Sequence, residues 1–320
     1  MLSRTVNKQW LIEHNEAPVS GNRIVLGVTL PAVSYQPREF GASQVITAKT
    51  DWLNGQNGVF ISTLITKQMC QFSYNRKPGM QIYKDMEIQL PTQNGAIDFE
   101  FIETFISELE AERIAKLDAF LLANGLKDYT LTDEEAAALE ELENVKIEFG
   151  EFEIGKLFEI NSSVKRFDAN KVIISETGKP YVVRTSLNNG IRGFINEDEQ
   201  FLNEGNTIAF GQDTATMFYQ KTPYFTGDKI KIIKSKDNKI NKMNAHFFIA
   251  TMTKSFSSFS WGGSSFNVSI IGNQTISLPI KNAQPDYALM ATIISAVQKL
   301  VIKDVVLYVD NKTAAAQKAL

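Results

Sequence analysis

The 320-residue sequence lacks several features that would place it in a membrane, disulfide-bonded or metal-binding class. No uncharged apolar run approaches the roughly 18 to 20 residues of a membrane-spanning helix, and Met1 to Glu16 contain no apolar core followed by a small-residue cleavage site. A single cysteine, Cys70, excludes an internal disulfide, and two distant histidines, His14 and His246, form no zinc-binding pattern. We therefore expect a cytoplasmic protein without membrane spans, cofactor or metal.

Catalytic signatures are also missing. The sequence contains no GxxxxGK[ST] or GxGxxG phosphate loop, no Ser/His/Asp set and no pairing of a glycine-rich cofactor turn with an acidic-polar Pro-Pro-aromatic motif. Its acidic residues follow helix faces instead of clustering as nuclease ligands do, and Gly262-Gly263 is interpreted as a simple turn between strands. These absences favour a binding protein over an enzyme, and a self-sufficient DNA-modifying enzyme is the least favoured alternative.

The net charge of −3 hides a strong segregation of charge along the chain. Ala96 to Gly150 contain 15 acidic and four basic residues, a net charge of −11, which leaves a net charge of +8 elsewhere. Lys221 to Lys254 contain eight lysines and two aspartates. Such a local excess is compatible with a polyanionic partner, and equally with an exposed lysine-rich strand and loop, so charge alone does not decide between them.

The sequence repeats itself at an offset that grows from 184 to 188 residues. Gly21–Gly27 aligns with Gly205–Gly211, and Tyr35-Gln36 aligns with Tyr219-Gln220. Further matches follow in the same order: Phe60 with Phe247, Thr66-Lys67 with Thr253-Lys254, Ile88–Pro91 with Ile276–Pro279, Asn94 with Asn282, and Asp98 with Asp286. Matches in constant order with a slowly drifting offset indicate an internal duplication.

Both halves have the same predicted plan of short strands followed by a long helix. Alternating apolar runs predict strands at Arg23–Val28, Val59–Thr66, Tyr181–Arg184, Thr207–Phe210, Lys229–Ile233 and Asn267–Ile271. After a Leu-Pro pair in each half, apolar spacing predicts a helix from Ile97 to Leu121, stopped by Asn124-Gly125, and another from about Pro285 towards Val309.

A capped helical linker is predicted between the halves. Thr132 has the spacing to accept hydrogen bonds from first-turn amides, and Glu135 has the spacing to reach back to the start of the helix. A preceding helix of about 27 residues spans about 40 Å, close to one turn of B-DNA. Two amphipathic helices that simply pack on each other would have the same pattern.

Several segments in constant order resemble the specificity subunits of type I and type IIB restriction-modification enzymes. These segments are Phe152–Ile160, Tyr219-Gln220 followed by Tyr224–Ile230, Ile276–Pro279, and the linker from Leu121–Leu126 through Thr132 to Leu142. The resemblance implies an α+β protein in which two α/β target-recognition domains, at residues 1–95 and 150–283, are separated by two long antiparallel, coiled-coil-like helices. The helical spacer and linker would occupy residues 96–149, and the C-terminal spacer helix residues 284–320.

The resemblance also implies a function. Each recognition domain would read one half of a split site in double-stranded DNA, and the helices would dock methyltransferase subunits. In many such systems a restriction subunit joins the complex, and the specificity subunit itself makes no covalent change. A non-catalytic protein-interaction scaffold without specific DNA binding is the alternative, which the acidic helices and the negative total charge favour slightly.

The two halves differ at their starts. The second copy has about 35 residues, Gly150 to Arg184, ahead of the point at which Met1–Thr5 aligns with Tyr181–Thr185. We expect the first recognition domain to be missing the edge that Phe152 to Val183 supplies to the second. A second chain is one source of that edge, which makes self-association a further expectation.

Readout of bases requires polar side chains at base edges and cations on phosphates. In the second domain, we expect direct base contacts from Gln212, Asp213 and Gln220, and phosphate contacts from Arg184, Arg192, Lys221 and Lys254. Thr214, Thr216 and Tyr219 complete this polar segment, and the first-domain counterparts are Tyr35, Gln36, Arg38, Lys67, Arg76 and Lys77. Tyr74 and Trp261 occupy matching positions and are interpreted as core or loop anchors, in preference to base-stacking platforms.

Overall fold

The computed structural model describes residues 7–29, 31–257 and 266–319. The chain divides into two compact units: a first unit of Met1–Asn124 with Leu307–Leu320, and a second unit of Gly125–Val306. Trp261 and the Gly262-Gly263 turn, both considered above, lie outside the described residues, as does Met1–Thr5.

The first unit contains an antiparallel sheet with the strand order β2-β1-β3 and helix α2 packed against it. The buried core between them consists of Ile24, Leu26, Leu53 and Ile61. The elements are α1 (Lys8–Glu13), β1 (Arg23–Gly27), β2 (Val33–Gln36), β3 (Val45–Ala48), α2 (Gly55–Gln68), α3 (Met80–Lys84), β4 (Thr92–Gln93), β5 (Ala96–Ile97) and α4 (Phe99–Ala123).

The second unit has sheets with the strand orders β11-β10-β13-β7, β12-β8-β9 and β15-β14-β6. Its elements are α5 (Asp133–Glu143), β6 (Phe149–Glu153), α6 (Ile154–Leu157), β7 (Phe158–Ser162), β8 (Lys179–Val182), β9 (Ile191–Ile195), β10 (Thr207–Gly211), β11 (Met217–Gln220), β12 (Phe225–Thr226), β13 (Ile230–Ser235), α7 (Asn244–Phe256), α8 (Val268–Gly272), β14 (Thr275–Lys281) and β15 (Gln284–Pro285). Helix α9 (Tyr287–Ala319) begins in this unit, and its largest core cluster packs α7 and α9 residues against the four-stranded sheet.

The strand registers confirm the internal duplication. In the first unit Arg23 pairs with Gln36 and Leu26 with Val33 across β1 and β2. The corresponding pairs in the second unit, Thr207 with Gln220 and Phe210 with Met217, follow the same register at an offset of 184. The third strands, β3 and β13, also pair in equivalent registers with β1 and β10.

Side-chain hydrogen bonds repeat as well. The Tyr35 hydroxyl donates to Asn22 Oδ1 at 2.9 Å, and the Tyr219 hydroxyl donates to Asn206 Oδ1 at 2.8 Å. Both asparagines have left-handed backbones, with φ of 56° and 55°. The glycine before each is required by close packing, since a Cβ on Gly21 would lie 2.4 Å from a backbone carbonyl oxygen.

The helix starts are also duplicated. Asn54 and Asn57 bond reciprocally at the start of α2, and Asn241 and Asn244 bond in the same way at the start of α7. Asp98 caps α4 by accepting from Phe101 N at 2.9 Å, and Asp286 caps α9 by accepting from Leu289 N at 2.9 Å. These contacts satisfy amide donors that have no partner inside a helix.

Four predictions of secondary structure are wrong. Val59–Thr66 belongs to α2 and Asn267–Ile271 lies largely in α8, where the Asn54 and Asn267 side chains accept from first-turn amides and outweigh the strand preference of β-branched residues. Ile97 pairs with Thr92 in β5, and Pro285 pairs with Ile280 in β15. The two long helices therefore begin later than predicted, at Phe99 and Tyr287, after the Asp98 and Asp286 caps.

The predicted helix stop and linker cap are confirmed. Helix α4 ends at Ala123 with Asn124 at its C-cap, and Gly125 adopts a φ of +66° that favours glycine. At α5, Thr132 Oγ1 accepts from Glu135 N at 3.1 Å, and the Glu135 carboxylate accepts from Thr132 N at 2.8 Å.

Glu135 has a second role that the sequence did not indicate. Its nearly buried carboxylate accepts from Lys299 Nζ at 2.8 Å and from the Ser295 hydroxyl at 2.6 Å, which ties α5 to α9 within the second unit. Burial raises the pKa of Glu135, but the hydrogen bonds from Lys299, Ser295 and Thr132 N outweigh it and lower the pKa to about 2. The carboxylate is therefore ionised throughout the neutral range.

Candidate nucleic-acid interface

An open cavity in the second unit brings arginines and aspartates from distant parts of the sequence together. Its volume is about 730 Å³. We call it the arginine cavity, defined by the charged lining residues Arg166, Asp168, Arg184, Arg192 and Asp228. Tyr181, Thr214 and Gly227 contribute further lining.

The small sheet β12-β8-β9 positions most of this lining. Tyr181 and Arg184 lie in and just after β8, Arg192 lies in β9, and Asp228 follows β12. Tyr181 is fully buried and its hydroxyl donates to Phe167 O at 2.7 Å, which anchors the segment containing Arg166. Burial raises the pKa of Tyr181, so it stays a neutral donor.

The β10–β11 loop forms the adjoining wall. Gly211 begins the loop where a Cβ would lie 2.7 Å from both the Thr214 and the Thr216 hydroxyl oxygens, so a side chain would force the loop to shift. The two threonine hydroxyls lie 2.9 Å apart and bond to each other. Ala215 has a left-handed backbone with φ of 49°.

Asp213 in this loop is held by two cations. Its carboxylate accepts from Lys229 Nζ at 2.9 Å and from the Arg184 guanidinium. The hydrogen bond from Lys229, with a further contribution from Arg184, lowers the pKa of Asp213 below its ordinary value. Asp213 is therefore ionised at neutral pH and already engages two cations.

The other charged side chains of the cavity are held less tightly by internal partners than Arg184 is. Arg166 forms a 2.8 Å ion pair with Asp228, but both side chains remain at least half exposed. Arg192 forms no ion pair with any residue in the described ranges. An exposed ion pair such as Arg166–Asp228 is weak, because water screens the attraction between the two charges.

The cavity has the mixed chemistry that recognition of base edges requires. Arginine donates to guanine O6 and N7, aspartate accepts from cytosine N4, and threonine contacts several bases. Asp168 and Asp228 are interspersed among the three arginines of the lining. The three arginines can therefore bind a polyanion, and the mixture of donors and acceptors can discriminate among the polar groups that the polyanion presents.

The cavity unites only some of the predicted site residues. Arg184, Arg192 and Thr214 line it, and Asp213 and Thr216 lie in direct contact with that lining. The sequence analysis missed Arg166, Asp168 and Asp228. The adjacent Lys165-Arg166 was the one available signal, but nothing in the sequence indicated that a segment 62 residues away would pair with it.

Other predicted residues have internal partners. Gln220 is 4% exposed and its amide donates to Asn189 O at 3.0 Å. The Gln212 amide donates to Phe266 O at 2.6 Å, and Tyr219 bonds Asn206 as described above. These contacts give all three side chains structural roles in the second unit.

Lys221 follows β11 and Lys254 lies in the last turn of α7; both are exposed, and neither lines the arginine cavity.

The first-unit candidates do not share one described cavity. Tyr35 bonds Asn22, and the Gln36 amide donates to Ser34 Oγ at 3.3 Å. Arg38 lies in the loop after β2, Lys67 lies on α2, and Arg76 and Lys77 lie in one turn, over the rings of Phe72 and Tyr74 at 5.5 and 4.5 Å. Tyr74 itself is 65% exposed.

Two kinds of feature are absent from the described ranges. None of their helices combines the length and apolar character needed to cross a bilayer. None of their His, Cys, Asp and Glu side chains form a group of three or more placed to hold a metal ion.

Residues 146–302 match the family model of the type I restriction modification DNA specificity domain. These 157 residues make up just under half of the 320-residue chain. The prediction that this chain resembles restriction-modification specificity subunits is confirmed, and every residue of the arginine cavity lies within the matched residues.

Known proteins resemble the chain at two levels. It is 31% identical over 156 residues to the type II restriction enzyme specificity subunit S.BcgI of Heyndrickxia coagulans, an alignment of 48% of this chain and 45% of that protein. The chain thus spans less than half of that relative's length in the alignment. The crystal structure of the type I restriction-modification S subunit from M. genitalium has a TM-score of 0.55 at 13% identity, covering 94% of this chain and 82% of that one. This likeness is one of fold.

Proposed function

We propose that this chain is a non-catalytic specificity subunit that binds double-stranded DNA in a sequence-specific manner. Its second recognition domain, residues 150–283, reads one half of a bipartite site through the arginine cavity and the β10–β11 loop. Its first recognition domain, residues 1–95, reads the other half. The single observation that carries this proposal is the convergence of three arginines with aspartates and threonines inside the specificity domain.

Within the cavity we assign different tasks to different side chains. Arg192, without an ion-pair partner in the described residues, and exposed Arg166 contact the DNA directly. Arg184 and Lys229 are positioned by Asp213, so that the loop keeps one shape when DNA arrives. Thr214 and Thr216 present hydroxyls to base edges, and exposed Lys221 and Lys254 hold flanking phosphates.

The remaining predicted residues have other roles in this proposal. Gln212, Tyr219 and Gln220 support the fold of the second domain through the internal bonds described above, instead of contacting bases. In the first domain, exposed Arg38, Lys67, Arg76 and Lys77 supply cations, and Tyr35 and Gln36 support β2.

The helical segments, residues 96–149 and 284–320, serve as spacers that dock methyltransferase subunits, and a restriction subunit joins in the systems that have one. Helix α4 supports this role through exposed apolar side chains on its surface. Phe101, Phe105, Phe120 and Leu122 are 45% to 70% exposed. Large exposed apolar surfaces mark sites of protein association.

The test is DNA binding by the chain copurified with the methyltransferase encoded beside its gene. Arg192→Gln is expected to weaken binding to the cognate site by about 1 to 3 kcal/mol if the side chain contacts a base. Lys156→Gln removes a cation that is 72% exposed in α6 and absent from the cavity lining, and it is expected to change affinity little.

Binding measurements on DNA duplexes that differ at single positions of the site separate base contacts from phosphate contacts. A base contact relaxes preference at one position of the site, whereas a phosphate contact weakens binding to all sequences and lowers the salt slope by about one. If Arg192→Gln and Lys156→Gln both bound DNA with the wild-type affinity, the assignment of the cavity to DNA would be contradicted.

A protein-interaction scaffold without specific DNA binding is the second candidate, and the exposed aromatic face of α4 favours it. It predicts assembly with partner proteins but no salt-dependent affinity for DNA. Phe105→Ser would then abolish complex formation, while Arg184→Gln and Lys221→Gln would have no effect in any DNA assay.

A further inference from the structure

In the second unit, one short segment covers two open strand edges at once. Strand β6 pairs with β14, from Glu153 with Thr275 to Phe149 with Pro279. Strand β7 pairs with β13 over five residues, from Phe158 with Ser235 to Ser162 with Lys231. The single turn α6 connects the two strands, so Phe149–Ser162 forms a strand–turn–strand cover.

The equivalent edges of the first unit have no such cover among the described residues. Strand β3 corresponds to the start of β13 and ends the sheet order β2-β1-β3. Residues 87–91 correspond to residues 275–279 of β14 but form no strand pairing, except that Pro91 O accepts from Asp98 N at 2.9 Å. Within the described part of the first unit, both edges therefore present backbone donors and acceptors without strand partners.

The apolar core beneath these edges is also less completely buried in the first unit than in the second. Ile276, Leu278 and Met252 of the second unit are at most 1% exposed, because Ile154 and Phe158 of the cover pack against the same cluster. Their counterparts Ile88, Leu90 and Ile65 are only half buried. The first unit thus has the repeat's hydrogen-bonded frame without the apolar layer that completes it.

We propose that the open edges of the first unit bind a strand–turn–strand segment donated by a separate polypeptide. The donor carries the apolar pattern of Phe149–Ser162, with large aliphatic or aromatic side chains where Phe152, Ile154, Phe158 and Ile160 stand. Such a segment adds a strand to each open edge through main-chain hydrogen bonds, and its alternate side chains fill the half-open core.

A second copy of this chain is a poor donor. Its own Phe149–Ser162 is already engaged within the second unit, where Ile154 is 0% and Phe158 is 2% exposed. Withdrawing that segment would expose a core larger than the one it could cover. The cover segment of a second copy is therefore not the proposed donor.

One position distinguishes the two acceptor surfaces. Gly155 in the turn of the cover approaches Gly272 so closely that an added Cβ would lie 3.1 Å from the Gly272 carbonyl oxygen. Helix α3 ends at Lys84 where α8 ends at Gly272. A Cβ on Gly272 would lie 3.4 Å from Ile160 Cδ1 and 3.7 Å from Gly155 Cα, so the cover packs directly over this residue. Lys84 has a long side chain at the equivalent position, and the Lys84→Gly variant is therefore expected to accept the chain's own cover sequence more tightly.

The experiment titrates the 320-residue chain with a synthetic peptide of residues 148–163 and follows amide hydrogen exchange by mass spectrometry. We expect saturable binding and a roughly tenfold or greater slowing of exchange at residues 45–50 and 86–91, with a larger effect in the Lys84→Gly variant. A control peptide with Ile154→Asp and Phe158→Asp is expected to give no protection.

Three results would overturn the proposal. One is no protection of these residues in either the wild-type chain or the Lys84→Gly variant. The second is faster exchange at residues 149–162, since the peptide would then be displacing the internal cover of the second unit. The third is a concentration-dependent dimer that protects residues 45–50 and 86–91 without peptide, because the occupant would then be a second copy of this chain.

Discussion

The two copies of the repeat share their hydrogen-bonded frame and differ in how well that frame is covered. Strand registers, the tyrosine–asparagine bonds and the asparagine caps recur in both copies. Burial does not recur: Leu278 is fully buried, whereas Leu90 at the same position is half buried. Local bonds therefore specify the shape of each copy, and a segment distant in sequence determines how completely its core is closed.

The largest expected difference between the copies is in the cost of removing this leucine. Leu278→Ala should destabilise the second unit by about 3 kcal/mol, because it leaves a cavity in a closed core. Leu90→Ala should destabilise the first unit by only about 1 kcal/mol, because its side chain already contacts solvent. Hydrogen exchange in increasing denaturant reports the two units separately.

Equal losses in the two units would mean that the first-unit core is closed in solution. Leu90→Met provides a control of similar volume that is expected to stay close to wild type.

The next effect concerns an ion pair that only the second copy has. Lys299 of α9 bonds Glu135, whereas α4 has Ala111 at the equivalent position. The folded pKa of Glu135, about 2, lies below its ordinary value of 4.5, so folding favours the ionised form. This contribution is complete above about pH 4.5 and is lost as the pH falls towards 2.

Glu135→Gln should therefore destabilise the second unit at pH 7 by about 1 to 2 kcal/mol, after allowance for solvent screening. The difference from wild type should shrink as the pH falls below about 4. Urea unfolding of both proteins at several pH values measures it, and a difference independent of pH would contradict the assigned role of the Glu135 charge.

A smaller effect is expected where the copies differ in charge. Asp213 neutralises Arg184 and Lys229, while Thr29 occupies the corresponding position in the first copy. Asp213→Asn should release both cations, tighten non-specific DNA binding by about 1 kcal/mol and steepen its salt slope by about one. Fluorescence anisotropy on unrelated DNA duplexes at several salt concentrations checks this. Weaker binding to every duplex would indicate that loop shape matters more than charge.

The smallest effect should be the same in both copies. Tyr35→Phe and Tyr219→Phe each remove one hydroxyl that donates to a left-handed asparagine, and each should cost about 0.5 to 1 kcal/mol in its own unit. Differential exchange measurements on the two variants test the equivalence. A large loss in one copy alone would show that the frames differ in strength despite their common geometry.

The sequence predicted the parts of the fold that depend on local or repeated signals. The ordered matches that start with Gly21–Gly27 and Gly205–Gly211 predicted the duplication. The spacing of Thr132 and Glu135 predicted the cap of α5. Helix α2 was mistaken for a strand, because its apolar and β-branched residues alternate and the decisive signal is the reciprocal bonding of Asn54 and Asn57. Such bonds depend on side-chain geometry that composition does not reveal.

The candidate site was predictable only in part, for a related reason. Thr214 lies in the polar segment that starts at Gln212 and was identified there, and Arg184 and Arg192 were predicted as phosphate contacts. Arg166 and Asp228 meet across 62 residues, and Gln220 turns inward to Asn189, so strand pairing determines both outcomes. A contact between distant segments cannot be inferred from the local pattern of either one.

The most direct test of the central claim is a map of the adenines methylated when this chain is combined with the proposed methyltransferase partner, the one encoded beside its gene. The account predicts a split motif for the wild-type chain. Arg192→Gln in the arginine cavity should relax one half of that motif and leave the other half unchanged, and Lys77→Gln should leave the half read by the arginine cavity unchanged. Loss of preference in both halves with Arg192→Gln, or an unaltered motif, would contradict the claim that the arginine cavity reads one half-site.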